Sequence, residues 1–189
     1  AREMRSHHRV LTGALAAAIV AAGVAITQSA TAVGAAGPPG GVTAIVPARF
    51  ADTRPGQPTV DGALAGVGLV AGVPLTIDIA GRGGVAEDAV AALINVTVVE
   101  PEGVGSLHAF PCGEEPGDVP VLSFAADAVV GTGTLAALDV DGDLCVVSDV
   151  ASDVAVDVYG FVQPGASLVA VRPARVLDTR AALPATGLR

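Results

Sequence analysis

Arginine and aspartate recur in this chain at a spacing that can bind a ligand or brace a fold. "PARFADTR" runs from Pro47 to Arg54 and "PARVLDTR" from Pro173 to Arg180; six of eight letters agree, 126 positions apart. Each copy sets two guanidinium groups around one carboxylate: Arg49, Asp52 and Arg54 in the first, Arg175, Asp178 and Arg180 in the second. A guanidinium is a planar fork that grips a carboxylate through paired hydrogen bonds, which lysine cannot do. Two chemistries follow. The arginines either offer a site to a carboxylate- or sugar-bearing ligand, or close onto their own aspartate as an ion-pair cluster that braces the end of a sheet. On a strand Asp52 and Arg54 share a face, whereas Arg49 needs a bend to join them. Pro55 just beyond favours extended backbone leading into a turn. The bracing role is the expected one.

Other groups with chemical capacity are sparse. Nucleophilic catalysis needs a base beside the nucleophile. Ser106 and His108 stand two apart on one strand face, where side chains run parallel, a poor geometry for proton transfer, and no G-x-S-x-G elbow occurs. A glycosidase needs two carboxyls about 5–9 Å apart in a cleft. The pairs Glu87/Asp88, Glu100/Glu102 and Glu114/Glu115 all lie in loop-like sequence. Asp139, Asp141 and Asp143 alternate around Gly142 and form a weak calcium candidate; they miss the D-x-D-x-D-G order, and turn chemistry is the expected role. Asn95-Val96-Thr97 matches a glycosylation sequon inside a strand-like run and reads as coincidence. Sugar-binding modules stack rings on Trp or Tyr, and this chain has no Trp and one Tyr, Tyr159. No catalytic residue, no metal and no cofactor is expected.

The elements that must position these groups read as strands. "PLTIDIA" turns Leu75, Ile77 and Ile79 inward and Thr76 and Asp78 outward, a period of two. "AVAALINVTVV", Ala89 to Val99, is a long β-branched run expected to be a central strand. "GSLHAFPC", "VPVLSFA", "GTLAALDV", "LCVVS" and "VAVDVYGFV" follow, parted by Gly, Pro and Asp clusters. Asp141-Gly142 predicts a tight hairpin between the third and fourth of these runs. The spacing implies an all-β antiparallel sandwich, jelly-roll or Ig-like.

The chain opens as an export signal does. Arg5 and Arg9 precede an uncharged, Ala-rich run of 17 residues, Val10 to Ile26, and Ala30-Thr31-Ala32 gives the small-x-small cleavage pattern. Met4 reads as the start. A membrane anchor is the competing interpretation, but alanine is weakly apolar and the run is short of the about 20 residues a bilayer needs. The organisation expected is a signal peptide at 1–32, a linker at 33–41, a β-sandwich module at 42–164, and the opening of a second, incomplete module at 165–189. Beyond residue 32 the chain holds 7 arginines, no lysine and 18 acidic residues, a net charge of about −11. Four of those arginines fall in the two octets, so they are not scattered solubilising charge. Such a balance repels phosphate backbones and anionic lipid, which excludes nucleic acid and, after cleavage, a membrane as partners. Cys112 and Cys145 both lie in the exported part. An even count in an oxidising compartment favours a disulfide over free thiols or a metal pair.

These residues resemble a repeat module of secreted actinobacterial proteins marked by P-A-R-(two apolar)-D-T-R. In that family G-R-G-G-V precedes an "LNVTV" strand, P-C-G follows, and a second cysteine and "VDVYGF" close the module. Here the matches are Pro47–Arg54, Gly81–Val85, Leu93–Pro101, Pro111-Cys112-Gly113, Cys145 and the run from Val156, in order from Val46 to Val162. One departure is "SLHAF", which stands where the family has an aromatic-rich strand. The resemblance implies a non-catalytic, secreted, envelope-associated module serving as spacer, adhesion or wall-attachment unit. Cell-wall polysaccharide or peptidoglycan are the partners it implies. The alternative is an accessory module of a larger secreted cell-wall hydrolase or protease whose catalytic domain lies elsewhere.

Overall fold

The computed structural model describes residues 41–171 and 174–175, all within the unit Val33–Arg189. The expected leader, all but the last residue of the expected linker, and Asp178 and Arg180 of the second octet lie outside the described residues.

Among the described residues eight strands follow one another: β1 (Thr43–Asp52), β2 (Leu75–Asp78), β3 (Ala91–Val99), β4 (Gly105–Pro111), β5 (Leu122–Phe124), β6 (Val129–Ala137), β7 (Asp143–Ser148) and β8 (Asp153–Val162). They form two four-stranded sheets, ordered β1-β8-β3-β6 and β2-β7-β4-β5, and every strand pair is antiparallel. The pairing is nested. β1 lies beside β8, β2 beside β7, β3 beside β6 and β4 beside β5. The chain is thus one long ribbon doubled back between β4 and β5, its rungs alternating between the two sheets. That is the jelly-roll member of the expected pair; an immunoglobulin-type sandwich divides its strands differently.

Period-two patterning supplies the core. Ile94, Val96 and Val98 of β3 and Val154, Val156 and Val158 of β8 point inward from one sheet, each at most 1% exposed. Ile77, Leu107, Leu144 and Val146 face them from the other, all fully buried. β-branched residues suit this pleated surface, and their burial against the opposite sheet supplies the main driving force.

Two expectations need correction. β3 begins at Ala91, two residues later than the apolar run suggested, because Ala89 belongs to the turn closed by its own N–H to the Ala86 carbonyl. The turn at Asp139–Gly142 is tight, with Gly142 N–H donating to the Asp139 carbonyl, but it joins no hairpin. β6 pairs with β3, and β7 pairs with β2 and β4, so this turn carries the chain from one sheet to the other. Asn- or Asp-Gly chemistry fixes the sharpness of a turn, not which strands pair beyond it.

Candidate functional site

β1 delivers the first octet by breaking its own alternation. Arg49 pairs with Asp157 of β8 and Ala51 with Val156, so two steps on β1 match one on β8: a β-bulge. Residues three apart on a regular strand face opposite ways. The extra residue reverses that parity, sending Phe50 and Ala51 both inward and leaving Arg49 and Asp52 on the outer face. This is the bend that the spacing required.

There the side chains close on one another. Arg49 is bidentate on Asp157, Nε to Oδ1 at 2.9 Å and Nη2 to Oδ2 at 3.1 Å, and its Nη1 donates to Asp52 Oδ2 at 2.7 Å. Arg54 grips the same Asp52 from the other side, Nε to Oδ1 at 2.9 Å and Nη2 to Oδ2 at 2.7 Å, and its backbone N–H also donates to Oδ1. Asp52 is fully buried while both arginine side chains remain 33% exposed. Burial pushes the Asp52 carboxyl up, but the Arg54 hydrogen bonds and the two positive charges outweigh it and hold the group below the usual carboxylate range. Arg49 and Arg54 are each shifted upward, chiefly by hydrogen bonds to Asp157 and Asp52 respectively. In this four-membered network of contacts two cations balance two anions. Thr53 completes it: its hydroxyl donates to Asp153 at 2.6 Å and accepts the Val154 N–H at 2.8 Å. D-T-R therefore ties the end of β1 to the start of β8.

The free edge of β1 is covered by the loop that follows the octet. Val60 N–H donates to the Arg49 carbonyl, Asp52 N–H to the Leu64 carbonyl, and Gly66 N–H to the Asp52 carbonyl. Arg82 of the G-R-G-G run clamps this loop. It is bidentate on Asp61, Nε to Oδ2 at 2.8 Å and Nη2 to Oδ1 at 2.6 Å, also reaches the Asp78 carbonyl, and lies 5.1 Å over the Phe50 ring. The Arg82 hydrogen bonds hold the Asp61 carboxyl at about 2. Gly83 beside it has φ of 54°, and a Cβ there would come within 2.7 Å of the same ring. Sequence pattern alone does not mark Asp61, Arg82 and Asp157 as members of this system. The available signals were an aspartate placed outward in an otherwise valine-rich strand and an arginine flanked by glycines.

The remaining candidates are dispersed. Ser106 does not engage His108: its hydroxyl donates to Asp149 Oδ2 at 3.0 Å and its N–H to Oδ1 at 2.7 Å. His108 lines a cleft of about 200 Å³ between β4 and β6, with Glu114, Ala109, Thr134 and Ala136 around it, and its Nδ1 is buried with no hydrogen-bond partner. The three carboxylate pairs sit in three different loops. Cys112 and Cys145 form the disulfide, with Cα atoms 4.9 Å apart. Ala174 and Arg175 are the described residues of the second octet.

Asp139, Asp141 and Asp143 do share one turn. Asp139 Oδ1 accepts the N–H groups of Asp141 at 2.9 Å and Asp143 at 2.8 Å, which is turn chemistry. Among the described residues no group of three or more His, Cys, Asp or Glu is arranged to hold a metal. Asp143 stands directly opposite Asp78 in the β2–β7 register. Burial first, then the charges of Asp139, Asp78 and Asp141, raise its carboxyl above the ordinary value. A folded pKa above the unfolded one makes the ionised group a liability at neutral pH, relieved as pH falls through the folded value. Asp143→Asn is therefore expected to stabilise the protein at pH 7 by about 0.5 kcal/mol, the scale of a cross-strand charge pair. The gain should fade on acidification, as read by thermal melts at pH 7 and pH 4.

No family model matches the chain, and no curated protein matches it.

Proposed function

We propose that this protein is a non-catalytic, exported module that attaches to the cell envelope, with the octet marking each copy of the module. The observation that carries the reading is the closed network at Arg49, Asp52, Arg54 and Asp157. Its guanidinium groups are satisfied by the protein's own carboxylates, so a repeated octet signals a repeated fold and no repeated reactive centre. The Cys112–Cys145 bridge suits an oxidising compartment. Strand register favours attachment or adhesion over a spacer role. Thr43 at the start of β1 is paired with Phe161 near the end of β8, so chain entry and exit are neighbours, about 5 Å apart at the Cα atoms. A module whose ends meet adds little length to an array; it hangs from the chain and presents its faces and far loops.

Sedimentation of the purified protein with isolated cell walls tests the reading. Wild type is expected to co-sediment. If it stays in the supernatant at every protein and wall concentration, the attachment reading falls.

A further inference from the structure

The outer face of the β1-β8-β3-β6 sheet carries two rows of directly opposed residues. Arg49, Asp157, Asn95 and Gly133 cross the four strands in one row, and Asp52, Ala155, Thr97 and Gly131 in the next. Three strand spacings make each row about 14 Å long. The floor is low on its far side, where Gly133 and Gly131 end the two rows.

The two glycines differ in a telling way. A Cβ at Gly131 would come within 2.9 Å of Thr97 Oγ1, so close packing accounts for it. A Cβ at Gly133 would meet only the Ile94 carbonyl at 3.8 Å, and its φ is not positive. Neither conformation nor packing requires glycine at 133. Glycine inside a strand weakens it, and close approach of a ligand or another backbone is a recurrent reason for its presence.

An aromatic ring flanks the rows. β8 carries a second bulge where Leu93 pairs with Gly160 and Ile94 with Val158, leaving Tyr159 as the extra residue. It is 38% exposed, Leu93 opposite the adjacent Gly160 is 37% exposed, and it is the single tyrosine of a chain without tryptophan. A tyrosine exposed beside polar groups combines an apolar face with a hydroxyl. Asn95 and Thr97 supply neutral amide and hydroxyl groups, held together by Asn95 Nδ2 donating to Thr97 Oγ1 at 3.1 Å.

Charge decides the occupant. The ionic groups of these rows cancel within the octet network, and the chain beyond residue 32 is strongly acidic. A polyanion is repelled, and among the described residues of these rows no uncompensated cation invites a carboxylate. We propose that this face is a binding platform for a neutral polysaccharide, whose rings stack on Tyr159 and whose chain lies across Asn95, Thr97 and Gly133. The proposal rests on the envelope-attachment reading and locates its contact. A single copy binds weakly, and linked copies raise avidity without new contacts.

Backbone-amide NMR titration tests it, with neutral hexasaccharides of glucose, galactose and arabinose as probes and dextran sulfate as the polyanionic control. At least one neutral probe is expected to shift the amides of Asn95, Thr97, Gly133 and Tyr159, and dextran sulfate to leave them unchanged. Gly133→Thr fills the floor with a good strand former, so it should keep or raise the melting temperature while weakening binding at least tenfold. Tyr159→Ala should weaken binding by a similar factor. No shift with any neutral probe, shifts confined elsewhere, or undiminished binding by folded Gly133→Thr overturns the platform. If wild type and Gly133→Thr co-sediment with walls equally, the platform fails and the attachment reading stands. If walls capture nothing while a neutral probe shifts the face, the reverse holds.

Discussion

Asp52→Ala is expected to lower the unfolding free energy by about 3–5 kcal/mol, the usual cost of removing one partner of a buried ion pair. The carboxylate is fully buried and accepts four hydrogen bonds, one from Arg49, two from the Arg54 side chain and one from the Arg54 backbone. Its loss leaves two guanidinium groups facing each other across an empty position, where they had been bound to one anion. Asp52→Asn keeps the shape but replaces one acceptor oxygen with an NH2 aimed at a cation, so it should be nearly as damaging. The pH dependence has a definite sign. Asp52 is held below its ordinary pKa in the folded state, so its contribution is fully present above the unfolded value of about 4. It is lost as pH falls through the folded value. Urea denaturation from pH 7 downward should show wild type losing stability on acidification, with that part of the loss missing in Asp52→Asn. A deficit below about 1 kcal/mol at pH 7 would mean that desolvation of the carboxylate cancels its bonds.

The octet was legible in sequence because it is local. Three of the four members lie in one strand and its turn, and the Pro and Arg letters constrain backbone and charge directly. The strands were legible for the same reason: Ile94, Val96 and Val98 announce a buried face through their own alternation. Asp157 was hidden because its role depends on β1 lying beside β8, a pairing across 108 residues that no local pattern encodes. Asp61 and Arg82 likewise meet only because the loop after the octet folds over the edge of β1. The failed hairpin has the same origin. Asp141-Gly142 specifies a turn, but the partners of β6 and β7 are chosen by which apolar faces must meet across the sandwich. Tyr159 looked isolated in sequence, since a bulge that turns it onto the face of Asp157 depends on the register of β3 against β8.

Removing the disulfide should cost about 3–4 kcal/mol, from the chain-entropy estimate for a loop of its size. Cys112 follows the end of β4 and Cys145 lies in β7, 33 residues apart and already brought together by the β4–β7 pairing. The closed loop contains β5 and β6, and each of these is the outermost strand of its sheet. The bridge therefore confines two edge strands, one in each sheet. Cys112→Ala, Cys145→Ala is the variant to use, because serine would bury a hydroxyl where Cys145 is 5% exposed. Wild type treated with reductant should match the double variant in a urea titration, since both lose the cross-link and little packing. Native-state hydrogen exchange locates the effect. Amides of Thr132 and Thr134, on the strand paired with β3 alone, should lose protection before those of Val156 and Val158 in the centre of the same sheet. Equal loss in β6 and β8 would show that the bridge sets global stability without singling out the edge strand. Unchanged stability in the double variant would mean that the unfolded chain already holds these two strands together.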